Sequence, residues 1–293
     1  MAAHQIAGAQ ARLERSCDTE VSDWIRIAPS APGIDRAEIC FTRRGYAPHR
    51  HDTYAIGFTA AGVQAFRYRG ANERSVAGQI FVLHPDELHD GRPAIDSGFR
   101  YRSLYIEPRL IHEALDHARP LPFVRRAVSR DRRLAAAILP ALDDLASPLD
   151  EMQRDQIITD LAEALSAVDG SAPGKRLRAP DRRAVTRARA YLDANRLRNV
   201  GSGELESVTG LTRFELARHF RVAFGTSPYR YLTLRRLDHA KAMIDAGSNL
   251  ADTAVTCGFA DQSHMTRHFK RAFGLSPARW LMLHRAAPRF TLA

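Results

Sequence analysis

Two groups of side chains in this 293-residue chain have types and spacings that could do chemistry. One lies near the C-terminus: Gln262, Ser263, His264, Thr266, Arg267, Lys270 and Arg271. An earlier set, Arg213, Phe214, Ala217, Arg218 and Arg221, has the same character. Arg and Gln can form paired hydrogen bonds to a base edge, while Lys and flanking Arg can hold phosphates. On a helix, Gln262, His264 and Arg267 share one arc. The competing reading is a solvated charged face. The other group is His49, His51 and His89. His49 and His51 share a strand face if that segment is extended. Clustered imidazoles suit a transition metal, a small ligand or a structural hydrogen-bonded pair. His84 and His112 belong to no motif and read as ordinary loop or helix residues. There is no GxSxG, no Walker loop and no GxGxxG followed by an acidic residue at dinucleotide spacing, and no two carboxylates can be paired. No catalytic residue and no enzyme activity is expected.

The first group must be positioned by a duplicated unit. Residues 218–232, RHFRVAFGTSPYRYL, and 267–281, RHFKRAFGLSPARWL, are identical at 10 of 15 positions at an offset of 49. Phe220 and Phe224, like Phe269 and Phe273, sit four apart and read as core. Gly225 and Gly274 suit helix C′ positions, where left-handed backbone is needed. Ser227-Pro228 and Ser276-Pro277 then give an N-cap and an N1 proline for the next helix. Upstream, Glu204–Thr209 before Gly210 and Leu250–Cys257 before Gly258 are short helical patterns. A second helix follows from about Asp261. This is helix-turn-helix grammar, with the second helix free to enter a major groove. A helix over Pro228–Ala246, carrying Leu232, Leu237, Ala240 and Ile244, joins the units.

The N-terminal half has another period. Residues 1–33 read as a poorly patterned arm. Short β-rich runs follow at Ala37–Thr42, Tyr54–Ala60, Val63–Arg69, Gln79–Leu83 and Gly98–Ile106, with a hairpin turn expected at Ala61-Gly62. They predict a small antiparallel sandwich or barrel. Helical stripes then appear: Leu134, Ile138, Leu142 and Leu145, and, after Pro148 with Asp150 as N-cap, Ile157, Leu161 and Leu165. These stripes suit either core packing or a helix-pairing dimer face. Residues 169–181, DGSAPGKRLRAPD, read as a linker. The charge changes there. Residues 1–174 hold 21 basic and 24 acidic residues, and residues 175–293 hold 22 and 9, so a net −3 gives way to +13. Such asymmetry points to nucleic acid or an anionic membrane. Cys17, Cys40 and Cys257 form no disulfide or zinc-finger pattern and suit a reducing cytosol. Neither a signal peptide nor a membrane span is expected.

On LADTAVTCGFADQSHMTRHFKRAFGLSP, 250–277, and GLTRFELARHFRVAFGTSPYRYL, 210–232, the chain resembles the AraC/XylS family of bacterial transcription regulators over about residues 183–285. The resemblance implies base contacts from Phe214, Ala217 and Arg218 in the first unit and from Gln262, Ser263, His264 and Arg267 in the second. Family members usually carry a small residue where Glu206 stands. A buried unpaired Glu would be costly, so that helix is expected to be shifted or its carboxylate to reach solvent. GYAPHRHDTYAIGFTAAG, 45–62, and GQIFVLHPDELHDG, 78–91, are similar to the cupin-type sensor domain of the same family. This implies a barrel whose interior holds a ligand, with His49, His51, Tyr54 and His89 lining it, followed by dimerisation helices. Metal cupins would place a carboxylate about four residues after His51, where Ala55 and Ile56 stand, so no metal or cofactor is expected.

The expected architecture is therefore a multidomain chain. An arm at 1–33 precedes a cupin-like antiparallel β-barrel sensor with flanking helices at 34–168. The linker at 169–181 leads to an all-α domain of two joined helix-turn-helix units at 182–286, with a tail at 287–293. The expected function is sequence-specific binding of double-stranded DNA by a cytoplasmic transcriptional regulator under a small-molecule effector. The resemblance favours an activator, hence RNA polymerase as partner, acting as a homodimer away from membranes. The alternatives are a cupin metalloenzyme fused to a DNA-binding module, and an effector-free regulator controlled by a protein partner. A fragment of residues 176–293 is expected to bind DNA in a low-salt titration, more weakly than the full chain, because a dimer gains effective concentration at a paired site. A folded, helical fragment that binds no DNA would detach this function from the repeat.

Overall fold

The computed structural model describes residues 23–116, 121–170 and 180–289. The expected arm over 1–22 and most of the linker, 171–179, lie outside the described residues. Among the described residues nine strands run β1 Trp24–Ile27, β2 Ile34–Phe41, β3 Tyr46–His49, β4 Tyr54–Tyr68, β5 Ala71–Val76, β6 Ile80–Leu83, β7 His89–Pro93, β8 Phe99–Ile106 and β9 Val128–Ser129. All their pairings are antiparallel. The order is β1-β2-β8-β4-β6-β9, while β3 pairs with β7, and β4 also takes β5 and β7. β1 falls inside the expected arm, where its Trp24–Ile27 pairs with Ala37–Cys40 of β2. Its four residues are too few for alternation to stand out in sequence.

The expected turn at Ala61-Gly62 does not form. β4 runs through it as one 15-residue strand. Its register against β8 shifts between Thr59 and Ala61, and Gly62 takes φ +69°. A left-handed glycine serves a bulge as well as a turn, and a bulge bends a strand. β4 thus leaves β6 and β8 at one end and pairs with β5 and β7 at the other, folding the sheet over on itself.

Helices α1 Pro108–Ala114, α2 Arg132–Leu142 and α3 Glu151–Ala167 cover one face. Asp150 caps α3 with a capping box, as its spacing predicts. The stripes Leu134, Ile138, Leu142 and Ile157, Leu161, Leu165 are buried with Ile56, Val82, Leu104 and Ile106 of the sheet. They serve the core of this chain, not a dimer face. Arg36 is also buried there, at 1% exposure, and staples sheet to helices. Its guanidinium donates to the carbonyls of Ala141 (3.1 Å), Asp144 (2.9 Å) and Ser147 (2.7 Å).

The helical half contains α4 Arg182–Ala194, α5 Ser202–Thr209, α6 Arg213–Phe224, α7 Pro228–Asp245, α8 Leu250–Thr256, α9 Gln262–Phe273 and α10 Pro277–Arg285. Gly225 and Gly274 close α6 and α9 in left-handed conformation. Ser227 and Ser276 cap α7 and α10 ahead of proline. The joining helix and both helix-turn-helix units are thus where the repeat puts them. Phe220 and Phe269 are fully buried, while Phe224 and Phe273 are half-buried beside them. No helix among the described residues is long and apolar enough to cross a membrane. Arg36→Met is expected to cost about 3 kcal/mol in urea unfolding, because four carbonyls, that of Pro29 included, lose charged donors. A loss under about 1 kcal/mol would mean that Arg36 is not the staple described.

Candidate effector cavity and nucleic-acid interface

Strand register brings the histidines together. His49 of β3 stands directly across from His89 of β7, and cross-strand partners share a face. Their ring centroids lie 4.3 Å apart, and His51 is 4.8 Å from His89 and 6.1 Å from His49. Each Nδ1 sits 2.9 Å from a backbone carbonyl: Ala47 for His49, Thr53 for His51 and Glu87 for His89. A carbonyl only accepts, so each Nδ1 carries the proton and each neutral ring keeps a bare lone pair on Nε2. Burial, together with the neighbouring imidazoles, holds His49 well below its ordinary range and His51 at about 3. Burial also lowers His89, against the pull of the Glu87 carbonyl.

The three rings line a cavity of about 250 Å³. Its barrel walls include Ile39, Ala55, Phe81, Tyr101 and Tyr105. The remaining wall comes from the helical half, with Leu234 and Lys241 of α7, Phe273 of α9, Leu275, and Trp280 of α10. Tyr54 is not part of it. Side chains alternate along a strand, so Ala55 faces the cavity and Tyr54 the opposite core, where its hydroxyl donates to the Pro122 carbonyl at 2.8 Å. His84, which no motif singles out, lies on that side as well. It contacts the Tyr68 hydroxyl at 2.7 Å and accepts from the Val124 amide at 2.9 Å. Sequence reasoning missed Tyr101, Tyr105, Lys241 and Trp280. The alternation Phe99, Tyr101, Ser103, Tyr105 was a usable signal for the tyrosines, whereas the lysine and tryptophan depend on how the two halves meet.

Polar contacts hold the helical half against the cavity rim. The amides of Ala47 and Arg50 donate to the carbonyls of Gly274 (3.0 Å) and Arg271 (3.2 Å). Arg230 pairs with Asp86 at 2.8 Å, Arg235 with Asp52 at 3.3 Å, and Arg279 with Asp23 at 3.3 Å.

The other ends of α6 and α9 face solvent. Arg213, Phe214, Arg218 and Arg221 are exposed on α6, and Ala217 is half-buried. On α9, Gln262, Ser263, Arg267, Lys270 and Arg271 are exposed and Thr266 is half-buried. His264 is half-buried. Its Nδ1 accepts from the Ala260 amide at 3.3 Å and its Nε2 meets that of His268 at 3.0 Å. These contacts brace the start of the helix, beside the exposed Gln262, Ser263 and Arg267. Glu206 is neither buried nor unpaired. Its carboxylate accepts from the Arg213 amide at 2.8 Å and lies 3.6 Å from that guanidinium. The larger residue at this position thus caps α6 with no shift of α5 needed.

A barrel with an internal cavity followed by two helix-turn-helix units defines a ligand-responsive DNA-binding protein. Residues 31–162 match the family described as AraC-like ligand binding domain, and residues 205–282 match a helix-turn-helix domain family. The chain thus joins an AraC-like ligand-binding domain to a helix-turn-helix domain, the organisation of AraC-type transcriptional regulators. It is similar to YbfI of Bacillus subtilis (strain 168), an uncharacterized HTH-type transcriptional regulator, at 24% identity over 220 residues, covering 74% of this chain and 80% of YbfI. Its fold is similar to that of ToxT from Vibrio cholerae O395, at TM-score 0.60 and 11% identity, covering 88% of this chain and all of that one. It is also similar to ToxT from Vibrio cholerae strain SCE256 bound to an unsaturated fatty acid, at TM-score 0.58 and 11% identity, covering 93% and 99% of the two chains.

The depressed imidazoles fix a pH dependence. Unfolded histidines titrate near 6.5, so below that value the unfolded chain takes up protons that folded His49, His51 and His89 refuse. Their contribution is complete above about pH 6.5 and is lost as pH falls towards the folded values. Thermal melts from pH 7.5 to 4.5 should show Tm falling with acidity, and His51→Gln with His89→Gln should flatten that fall. An unchanged slope in the double variant would contradict this assignment.

Proposed function

We propose that this regulator's operator affinity is set by a small molecule held between its barrel and its DNA-binding half. The observation that carries the reading is the shared wall: the cavity is closed by Phe273 of α9 itself and by Leu234, Lys241 and Trp280 of the helices packed beside it. A ligand that fits this cavity favours one arrangement of the two halves over another, which is the condition for it to change DNA binding. That a ToxT structure holds an unsaturated fatty acid supports a carboxylate-bearing effector here.

In this reading 34–168 is the sensor, extended by the β1 strand, 169–181 the linker and 182–286 the DNA-binding domain. Phe214, Ala217 and Arg218, and in the second unit Gln262, Ser263 and Arg267, read bases. Arg213, Arg221, Thr266, Lys270 and Arg271 hold the phosphate backbone. His49, His51 and His89 face the effector, and Tyr54 and His264 are support residues. A cytoplasmic homodimer that activates through RNA polymerase completes the proposal, and family resemblance is its support.

The division between base and phosphate contact is open to a direct test. Arg267→Ala should cost about 1–3 kcal/mol at the operator and far less on scrambled DNA. Lys270→Ala should weaken both equally and reduce the salt slope by about one. Titrations at several salt concentrations read both. A uniform loss for Arg267→Ala would move it to the phosphate class and reverse the orientation assigned to α9.

A further inference from the structure

We propose that the effector is a small hydroxylated aromatic carboxylate, seated with its hydroxyl groups on His49, His51 and His89 and its carboxylate on Lys241. This rests on the reading of the cavity as the effector site and names the ligand class.

The floor calls for hydrogen-bond donors. His49 and His89 are 7% and 5% exposed, and all three Nδ1 protons are committed to carbonyls. All three rings line the cavity, and the Nε2 of none of them has a hydrogen-bond partner among the described residues. A neutral imidazole with its only proton engaged repels a carboxylate and accepts from a hydroxyl. Among the described residues, no group of three His, Cys, Asp or Glu has the geometry to hold a metal ion.

The roof offers an anion site. The lining contains three side-chain cations, Arg36, Arg235 and Lys241. Arg36 is spent on backbone carbonyls, and Arg235 lies within 3.7 Å of Asp52, Asp238 and Glu107. Lys241 forms no ion pair among the described residues. Its ammonium lies 4.7 Å from the Phe273 ring centre and 5.6 Å from that of Trp280. An ammonium held over aromatic faces beside a cavity can take a carboxylate at little further desolvation cost.

The walls select a flat body. Phe81, Tyr101, Tyr105, Phe273 and Trp280 present rings to the cavity, and offset or edge-to-face packing of a ligand ring follows. The volume, about 250 Å³, lies at the small end of ligand pockets, which run from about 300 to 1,000 Å³, so a compact ligand is favoured. One aromatic ring with a short acid side chain meets that limit. Such a ligand touches the barrel at one end and α7 at the other, so its two polar ends report on both halves at once.

The test uses the full chain, dialysed against chelator, with 3,4-dihydroxyphenylacetate as probe and phenylacetate and catechol as partial analogues, read by calorimetry and thermal shift. The probe is expected to bind about tenfold or more tighter than either analogue, as sites built around buried polar groups reject ligands that leave them unpaired. Lys241→Met should erase the advantage over catechol and keep that over phenylacetate. His51→Leu should do the reverse. Circular dichroism and retained binding to nonspecific DNA report folding of each variant. Either analogue binding as tightly as the probe, or a preference untouched by both variants, would overturn the proposal and leave the effector reading standing. Stoichiometric zinc retained after dialysis without chelator would also overturn it, by placing a metal where we place hydroxyls. If no member of a broad metabolite panel raises Tm, the effector reading itself fails with it.

Discussion

The constraint that ties the cavity to the second helix-turn-helix unit is the approach of the α9 cap to strand β3. Gly274 has φ +69°, and a Cβ there would stand 2.8 Å from the Ala47 carbonyl oxygen and 2.8 Å from His49 Nδ1. Only glycine meets both the cap conformation and the contact. The reward is polar: two carbonyls at the end of α9, which have no partner within the helix, accept from the amides of Ala47 and Arg50. One end of α9 is thus stitched to the strand that carries His49, and the other presents Gln262 and Arg267 to solvent. In the proposed function, ligand and DNA act on two ends of one rigid element.

The duplication makes the same arrangement twice. At the first unit, a Cβ on Gly225 would stand 2.8 Å from Pro85 Cβ and 3.4 Å from Pro108 Cγ. Both left-handed caps rest on the barrel, so the sensor contacts the rear of both recognition helices. Arg230 and Arg235, in the helix between them, reach Asp86 and Asp52 on the cavity rim. The spacing and rotation of the two helices are therefore referred to the barrel as well as to α7. Coupling of this kind is reciprocal: whatever factor the effector applies to DNA affinity, DNA applies to effector affinity.

The helical half was legible because its signals are local. Gly225, Ser227-Pro228 and their second copies act within a few residues, and each makes the cap it predicts. The barrel was legible in class only. β3 and β7 are short and contain proline, so neither has a strand period, yet they carry two of the three cavity histidines. Ala61-Gly62 carries the same local signal for a bulge as for a turn, and only the pairing partner of β4 decides between them. Tyr54 was misplaced because the resemblance supplied the segment and not the face. Lys241 and Trp280 could not be assigned from sequence at all, since their role comes from docking between segments far apart in the chain.

The central claim is that the DNA-binding half forms a wall of the effector cavity. The chain has two tryptophans, Trp24 and Trp280, and only Trp280 lines the cavity. In a Trp24→Phe background, emission then comes from the DNA-binding half alone. A ligand shown by calorimetry to bind the full chain should shift or quench that emission in a saturable way, with the midpoint matching its Kd. Saturable binding with Trp280 emission unchanged would contradict the shared wall, and with it the route from effector to DNA described here.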